Sequence, residues 1–239
     1  MDLTAEFFFD LERRLRAAGL DSDSESFDTI KARLSRKEPL KAYDFARQAI
    51  YVILAGGFSQ KTAKVIHGKI MNVLVGACGA RPGACHAPLQ DPSLFDTLIK
   101  IFNNKNKINA VVNIWENREK YRDDYYTLKD SGVETKLNYL SSLPHIGKIT
   151  ANHLARNLGE DVVKYDIWIQ RLGVAFAAQT QSKRVEELKS KIDNGNLDPA
   201  VRAACDDMFA HLVKETGLPR GYIDVVLWKA CQNHMIEGI

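Results

Sequence analysis

The chain has 239 residues, 45% hydrophobic and 26% charged, with a formal net charge of +3. That is an ordinary globular composition with enough chain to bury a core in one large or two small lobes. The longest apolar run, Ala49 to Phe58, is too short to span a bilayer and the acidic N-terminal segment does not resemble a signal peptide, so a membrane partner is excluded and a cytoplasmic setting is expected, nucleoid-associated in a bacterium.

Leu3, Phe7, Leu11 and Leu15 form one stripe at helical spacing over residues 3–18, ahead of Gly19 and an acidic loop from Asp21 to Glu25. A short helix is predicted over 27–35. Tyr43 to Leu54 is apolar on nearly every side, which places that helix in the middle of a core. Gly56-Gly57-Phe58-Ser59-Gln60 breaks the pattern, and Ser59 is suited to cap a helix running to Leu74. On that helix Ala63, Ile66, Ile70, Val73 and Leu74 share one face, opposite Lys61, Lys64, Lys69 and Asn72. No Asp or Glu occurs between Phe45 and Gln90, where Arg47, Lys61, Lys64, Lys69 and Arg81 supply positive charge. Such a block suits a phosphate-facing surface, and equally a solvated helix face.

Gly76 to Asp91 is a Gly/Pro-rich loop, followed by predicted helices at 92–103 and 106–120. Glu116 to Tyr126 is charged and rich in tyrosine; it reads as an exposed helix, with a stacking surface for single-stranded nucleic acid as the alternative. Further helices are predicted at 133–143, from the next turn to 158, at 167–172, and at 181–192, 198–215 and 220–233. No strand-like alternation persists, so the fold class is all-α. Cys78, Cys85 and His86 make an incomplete ligand set for zinc, and neither a metal nor a cofactor is expected. The four cysteines fit reduced thiols.

Leu143 to Asn152 reads as a tight hairpin between two helices. Pro144 ends the first helix, because it disfavours αR in Leu143 and has no N–H to give. Gly147 permits φ > 0 and lacks a Cβ, so a phosphate can approach the amides of His145, Ile146, Gly147, Lys148, Ile149 and Thr150 at the start of the second helix. In that helix Ala151, Leu154 and Leu158 share a face while Asn152, His153 and Arg156 point elsewhere, and Gly159 stops it. Nineteen residues after Gly147 stands Asp166, ahead of the apolar Ile167-Trp168-Ile169. An Asp there is a good helix cap, a role worth ~1 kcal/mol, and also a candidate functional carboxylate.

The pattern Leu143-Pro144-x-Ile146-Gly147-x-x-Thr150-Ala151 with Asp166 downstream resembles the helix-hairpin-helix DNA glycosylase superfamily. The segments Ala151 to Gly159 and Ile223 to Trp228 are most similar to the compact archaeal-type 8-oxoguanine DNA glycosylases. The resemblance covers the hairpin, its second helix and the Asp166 segment, and is loose elsewhere. It implies two helical lobes around a cleft, one built from residues 1–58 and 177–239, the other from 59–176 and carrying the helix-hairpin-helix motif. It also implies a monomeric enzyme whose partner is double-stranded DNA containing a modified base. Two departures stand out. The lysine that bifunctional members carry two residues after the hairpin glycine is Ile149 here, and the usual proline before the aspartate is missing. The catalytic carboxylate therefore carries over to Asp166 and the Schiff-base lysine does not, which implies base release by water with no or weak abasic-site lyase activity. Some relatives hold an iron–sulfur cluster with four close cysteines after the aspartate; here only Cys205 and Cys231 follow it, far apart, so no cluster is expected.

Breaking a C1′–N bond passes through an oxocarbenium-like state that one carboxylate can stabilise while orienting water. The nucleotide must first leave the stack. Phe58, Tyr43, Trp168 and Trp228 are the aromatic candidates for a base pocket, each equally suited to a core, and Asp224 can meet a donor on the base or hydrogen-bond within the fold. Gln60 and Phe58 are the candidates for a side chain pushed into the duplex; Lys61, Lys64, Lys148, Arg156 and Lys164 would add phosphate attraction. His67 and His153 read as surface residues. A noncatalytic DNA-binding protein shares every feature except dependence on Asp166. A modified-base-processing enzyme of unusual, for example viral, DNA accommodates His145, Ile149 and the absent proline. Oxidised, alkylated, deaminated and enzymatically modified bases all fit.

Overall fold

The computed structural model describes residues 3–21, 26–36, 38–77, 92–180, 185–193 and 196–238. Among them the chain forms thirteen helices and no strand, apart from an isolated bridge between Ile192 and Leu197. They are α1 (Ala5–Ala17), α2 (Phe27–Leu34), α3 (Ala42–Ala55), α4 (Gln60–Ala77), α5 (Pro92–Ile101), α6 (Lys105–Glu116), α7 (Arg118–Thr127), α8 (Val133–Ser141), α9 (Lys148–Leu158), α10 (Ile167–Thr180), α11 (Val185–Ser190), α12 (Pro199–Thr216) and α13 (Arg220–Gln232). The expected all-α class is the observed one. Cys78, Cys85 and His86, and the loop containing them, lie outside the described residues.

Two compact units result, one of residues 1–36 with 155–239, the other of 37–154, and the division falls inside α9. The boundaries differ from those inferred from the sequence. Residues 37–58 belong with 59–154, since α3 packs on α4, α6 and α7, and residues 155–176 belong with the chain ends, since α10 packs on α11, α12 and α13.

The first unit is built around α13, whose residues from Gly221 to Leu227 are all buried against α1, α2, α10 and α12. Phe8, Leu11 and Leu15 of α1 and Phe27 and Ile30 of α2 have no exposed surface. Phe27 meets Tyr222 edge to face at 5.8 Å, and the Tyr222 hydroxyl donates to Glu12 at 2.6 Å. α10 extends to Thr180, well beyond the short helix predicted at 167–172, and its Gly173 is what lets α12 approach. A Cβ there would lie 2.5 Å from the Cys205 sulfur and 2.8 Å from its Cα. Cys205 and Cys231 are both buried free thiols.

One ion pair sits inside this unit. Arg156 near the end of α9 donates to the Asp224 carboxylate on α13, and the two side chains are 2% and 1% exposed. Arg156 was expected to face outward and attract phosphate; instead α9 is buried on nearly every side from Ala151 to Leu158. Burial pushes the Asp224 carboxyl up to about 6, outweighing the opposing pull of the Arg156 guanidinium and the Lys164 amide.

In the second unit α3 is central, with Phe45, Ala46, Ala49, Ile50 and Leu54 fully buried, as its all-round apolar pattern requires. The charged helix after residue 116 begins anew at Arg118, beyond Asn117, rather than continuing α6. Its tyrosines hold the fold together rather than forming a stacking surface. Tyr125 is buried, Tyr121 donates to Asn113 at 2.7 Å, and the Tyr126 hydroxyl accepts the Leu40 N–H at 2.8 Å. The two histidines expected at the surface are enclosed: His153 is 4% exposed and His67 half-buried, each edge-on to Tyr51 at 5.9 and 5.6 Å. His67 Nε2 lies 3.1 Å from the Arg47 carbonyl oxygen, which can only accept, so the proton is on Nε2.

Two outcomes follow from these buried groups. His67 is pushed down to about 4, chiefly by burial. The unfolded imidazole takes up a proton near pH 6.5 and the folded one only near 4, so stability present above 6.5 is lost as pH falls from 6.5 to 4. Urea titrations at the two ends of that window should show the wild type losing on the order of 1–3 kcal/mol relative to His67→Gln, a difference from which the opposite contribution of the raised Asp224 carboxyl cancels. Arg156→Ala leaves Asp224 buried without its cation and should cost about 3–5 kcal/mol by the same measurement, while Arg156→Met combined with Asp224→Asn should recover much of the loss.

Candidate active site

α9 ends at Gly159, where φ is 108° and a Cβ would lie 2.8 Å from the Arg33 carbonyl oxygen, so only glycine fits. The next seven residues, 160–166, belong to no helix or sheet; some of their backbone groups pair locally, and side-chain hydrogen bonds tie the segment to its neighbours. Asp161 Oδ1 accepts the Gly221 N–H at 2.7 Å, and Asp224 Oδ2 accepts the Lys164 N–H at 3.0 Å together with the Arg156 guanidinium. Gln170, fully buried, donates from Nε2 to the carbonyls of Tyr165 at 3.0 Å and Asp193 at 2.7 Å, and accepts the Asp193 N–H at 3.1 Å. The Tyr165 hydroxyl donates to Asp206 at 2.6 Å.

This clamped segment delivers Asp166 to the start of α10, 7% exposed. Its two oxygens are used differently. Oδ1 accepts from the Trp168 and Ile169 amides at 3.1 and 3.3 Å, so the capping role is real. Oδ2 points the other way, 3.4 Å from Lys164 Nζ. The Lys164 ammonium lies 5.6 Å from the centre of the half-buried Trp228 ring. Asp166, Lys164, Trp228 and Asp224 therefore form one constellation. Trp168 is half-buried with Arg171 at 5.3 Å over its ring and His234 edge-on at 6.4 Å. Asp224 has no exposed surface, so of its two candidate roles the structure shows the internal hydrogen bonds rather than a face offered to a base; its Oδ1 has no hydrogen-bond partner.

The remaining sequence candidates belong to the second unit. In the hairpin it is His145, exposed, that adopts the left-handed conformation, with φ 61°, while Gly147 does not. Nor does packing require Gly147: a Cβ there would meet nothing within 4 Å. Its carbonyl accepts the Ala151 N–H at 2.8 Å, and having no side chain it leaves the first amides of α9 uncapped by its own atoms. Ile146 is buried, Lys148 exposed, and Ile149 and Thr150 half-buried. Partial burial, then the charge of Lys107, lowers the His145 imidazole below its ordinary range and so keeps it neutral near pH 7.

Ser59 caps α4 as anticipated, accepting the Thr62 N–H at 3.2 Å, and Lys61 and Lys64 are exposed on the basic face. Gln60 opens α4, and its side chain lies outside the described residues. Phe58 is 44% exposed, edge-on to Phe102 at 5.5 Å, in a turn where Gly57 has φ 81°. Tyr43 is 41% exposed against Trp115. Sequence reasoning did not single out Lys107, which is 7% exposed, donates to the Gly56 carbonyl and stands 5.2 Å from the Phe58 ring centre. The only signal for it was a lysine at an apolar position of the α6 stripe.

No protein-family model and no curated protein matches the sequence. Among solved structures the chain is similar to the 8-oxoguanine glycosylase/lyase of Methanocaldococcus jannaschii in complex with a 15-mer DNA containing 8-oxoguanine, at 14% identity and TM-score 0.59, covering 97% of this chain and 100% of that one. It is likewise similar to the structure of the 8-oxoguanine DNA glycosylase from the same organism, at 13% identity and TM-score 0.60 over 96% of this chain and 94% of that one. The chain thus has the all-α fold of these proteins.

Proposed function

We propose that this chain is a DNA glycosylase of the helix-hairpin-helix type that excises a damaged or modified base from double-stranded DNA by hydrolysis of the N-glycosidic bond. The observation that carries the reading is the division of labour within Asp166. Two amides of α10 fix Oδ1, so the side chain has little freedom, while Oδ2 faces the Lys164 ammonium, which in turn lies by Trp228. A carboxylate so held can stabilise the positive charge that develops at C1′ and accept a proton from the attacking water, with no reorganisation at the moment of reaction. Likeness to glycosylases bound to or acting on 8-oxoguanine DNA supports the substrate class.

Hairpin amides from His145 to Thr150 would hold a phosphate without reading sequence, with Lys148 and the α4 lysines Lys61 and Lys64 adding attraction. Gly147 supports this reading in a particular way. Neither its φ nor its packing calls for glycine, so a bare Cα there serves whatever approaches from outside. Trp228 and Trp168 are the aromatic surfaces proposed for the extruded base, and Phe58 or Gln60 the side chain replacing it in the stack. With Ile149 in the hairpin, water rather than a hairpin amine is the nucleophile.

The deciding experiment is a release assay on a panel of duplexes carrying single oxidised, alkylated, deaminated or enzymatically modified bases. The wild type should free at least one of them. Asp166→Asn keeps an acceptor for the α10 amides, so its stability should change by no more than about 1 kcal/mol, while release is abolished. An Asp166→Asn protein as active as the wild type would take Asp166 out of the chemistry, and a wild type that binds duplexes and frees no base would sink the enzyme reading in favour of a noncatalytic DNA-binding protein. Gly147→Val should likewise fold with a cost of about 1 kcal/mol or less. It should nevertheless weaken duplex binding in a gel-shift titration; unchanged affinity would remove the hairpin from the interface.

A further inference from the structure

Lys107 stands where α6 calls for an apolar side chain. It shares a buried stripe with Ile108, Val111 and Ile114, is 7% exposed, and among the described residues its ammonium meets no carboxylate. Its partners are the carbonyls of Gly56, at 2.5 Å, and Leu54, at 3.5 Å, both at the end of α3, where carbonyls have no acceptor role left within the helix. A buried ammonium without a counter-charge is costly, and methionine would pack this position more cheaply. What sets the lysine apart is what it holds.

That is the turn from α3 into α4. Gly56 and Gly57 lend the turn little stiffness of their own, and a Cβ on Gly57, where φ is 81°, would meet nothing within 4 Å. Lys107 fixes the start of the turn through the two carbonyls and its tip through a ring: Nζ lies 5.2 Å from the centre of Phe58 and 5.9 Å from that of Phe102, and the two rings meet edge to face at 5.5 Å. Phe58 is nevertheless 44% exposed, so a buried charge keeps a large aromatic side chain in the open. The hairpin is near. Partial burial and then the Lys107 charge lower the His145 imidazole, and turn and hairpin belong to the same unit.

We propose that Lys107 is a positioning residue for nucleotide extrusion: its buried ammonium holds the Gly56–Phe58 turn so that the Phe58 ring, rather than Gln60, enters the duplex beside the departing nucleotide. This rests on the reading of the chain as one that takes a base out of duplex DNA. A ring already held in place loses less freedom on insertion than one on a loose glycine turn, so the lysine acts through Phe58 and need not touch DNA.

Extrusion is measured apart from bond breaking. Full-length protein carrying Asp166→Asn is titrated into a duplex with one 2-aminopurine opposite a tetrahydrofuran abasic analogue, and the 2-aminopurine fluorescence, which rises as the base leaves the stack, is read at saturation by gel shift. This background protein should give a clear rise. Adding Phe58→Ala or Lys107→Met should each cut the rise at least about threefold, while Gln60→Ala leaves it unchanged. A lysine that only supports the fold would act whether or not Phe58 is present, so Lys107→Met added to Phe58→Ala should lower the rise no further. No rise in the background protein, an undiminished rise in Lys107→Met or Phe58→Ala, a loss in Gln60→Ala equal to that in Phe58→Ala, or a further drop in the double variant would overturn the proposal. Where Lys107→Met fails to fold, Phe58→Leu at its exposed position decides instead: leucine keeps an apolar side chain but not the ring that the ammonium holds, so the rise should fall as in Phe58→Ala, and a full rise would overturn the proposal. Wild-type base release alongside any overturning result would discard the role of Lys107 and leave the glycosylase reading standing; the expected fluorescence pattern with no base released from any duplex would do the reverse.

Discussion

The contact between Arg156 and Asp224 determines more of this molecule than any other single pair. Two charges have been withdrawn from water into the first unit, at a desolvation cost of several kcal/mol each, and the carboxylate keeps one oxygen with no hydrogen bond at all. A pair of apolar side chains would fill such a place at lower cost. What the pair supplies is direction: the same carboxylate oxygen that takes the guanidinium also takes the Lys164 amide, so the end of α9, the start of α13 and the irregular segment between α9 and α10 are fixed with respect to one another. Asp166 is two residues further along that segment.

Seven residues without secondary structure are an unusual way to position a carboxylate, because each unpaired amide and carbonyl is a liability when buried. Here the liability is met partly within the segment, whose Val162 and Asp166 amides donate to the Glu160 and Lys164 carbonyls, and partly by Asp224 and Gln170, while Asp161 and Tyr165 add side-chain bonds to α13 and α12. The outcome is a segment rigid enough that its last residue can cap a helix with one oxygen and leave the other for chemistry. On the proposed reading, capping and catalysis are one arrangement rather than rival explanations of Asp166. The cap stops the side chain from turning, and a carboxylate that need not reorganise is the kind that stabilises a developing cation best.

Much of this architecture is visible in a single sequence, and the part that is not has a common cause. Periodicity showed the apolar α3, the basic face of α4 and the helices of both units; Ser59 and Gly159 announced a start and a stop. Pairings across long separations left no such trace. Nothing adjacent to Arg156 signals that Asp224, 68 residues away, will neutralise it, so a charged residue on α9 read as exposed when it is buried. Likewise His67 and His153 read as surface residues until Tyr51 is seen edge-on to both, and 155–176 seemed to continue the hairpin's unit until α10 is found against α12 through Gly173. Local pattern reports which way a side chain faces relative to its own helix. It does not report what arrives on the other side.

The hairpin shows the same limit within a few residues. A glycine in a turn suggests a backbone that only glycine can adopt, yet the left-handed residue is His145 and Gly147 is conformationally unremarkable. A histidine tolerates that region at some cost, and the glycine stands two positions later, just before α9, where neither its φ nor its packing calls for the absence of a side chain. His145 itself, kept neutral by partial burial and by Lys107, adds no charge to the start of α9. The attraction offered to an anion there comes from backbone dipoles and from Lys148. On the proposed reading, such a surface would grip any polynucleotide and discriminate none, and the choice of a base would fall to the residues that meet the extruded nucleotide.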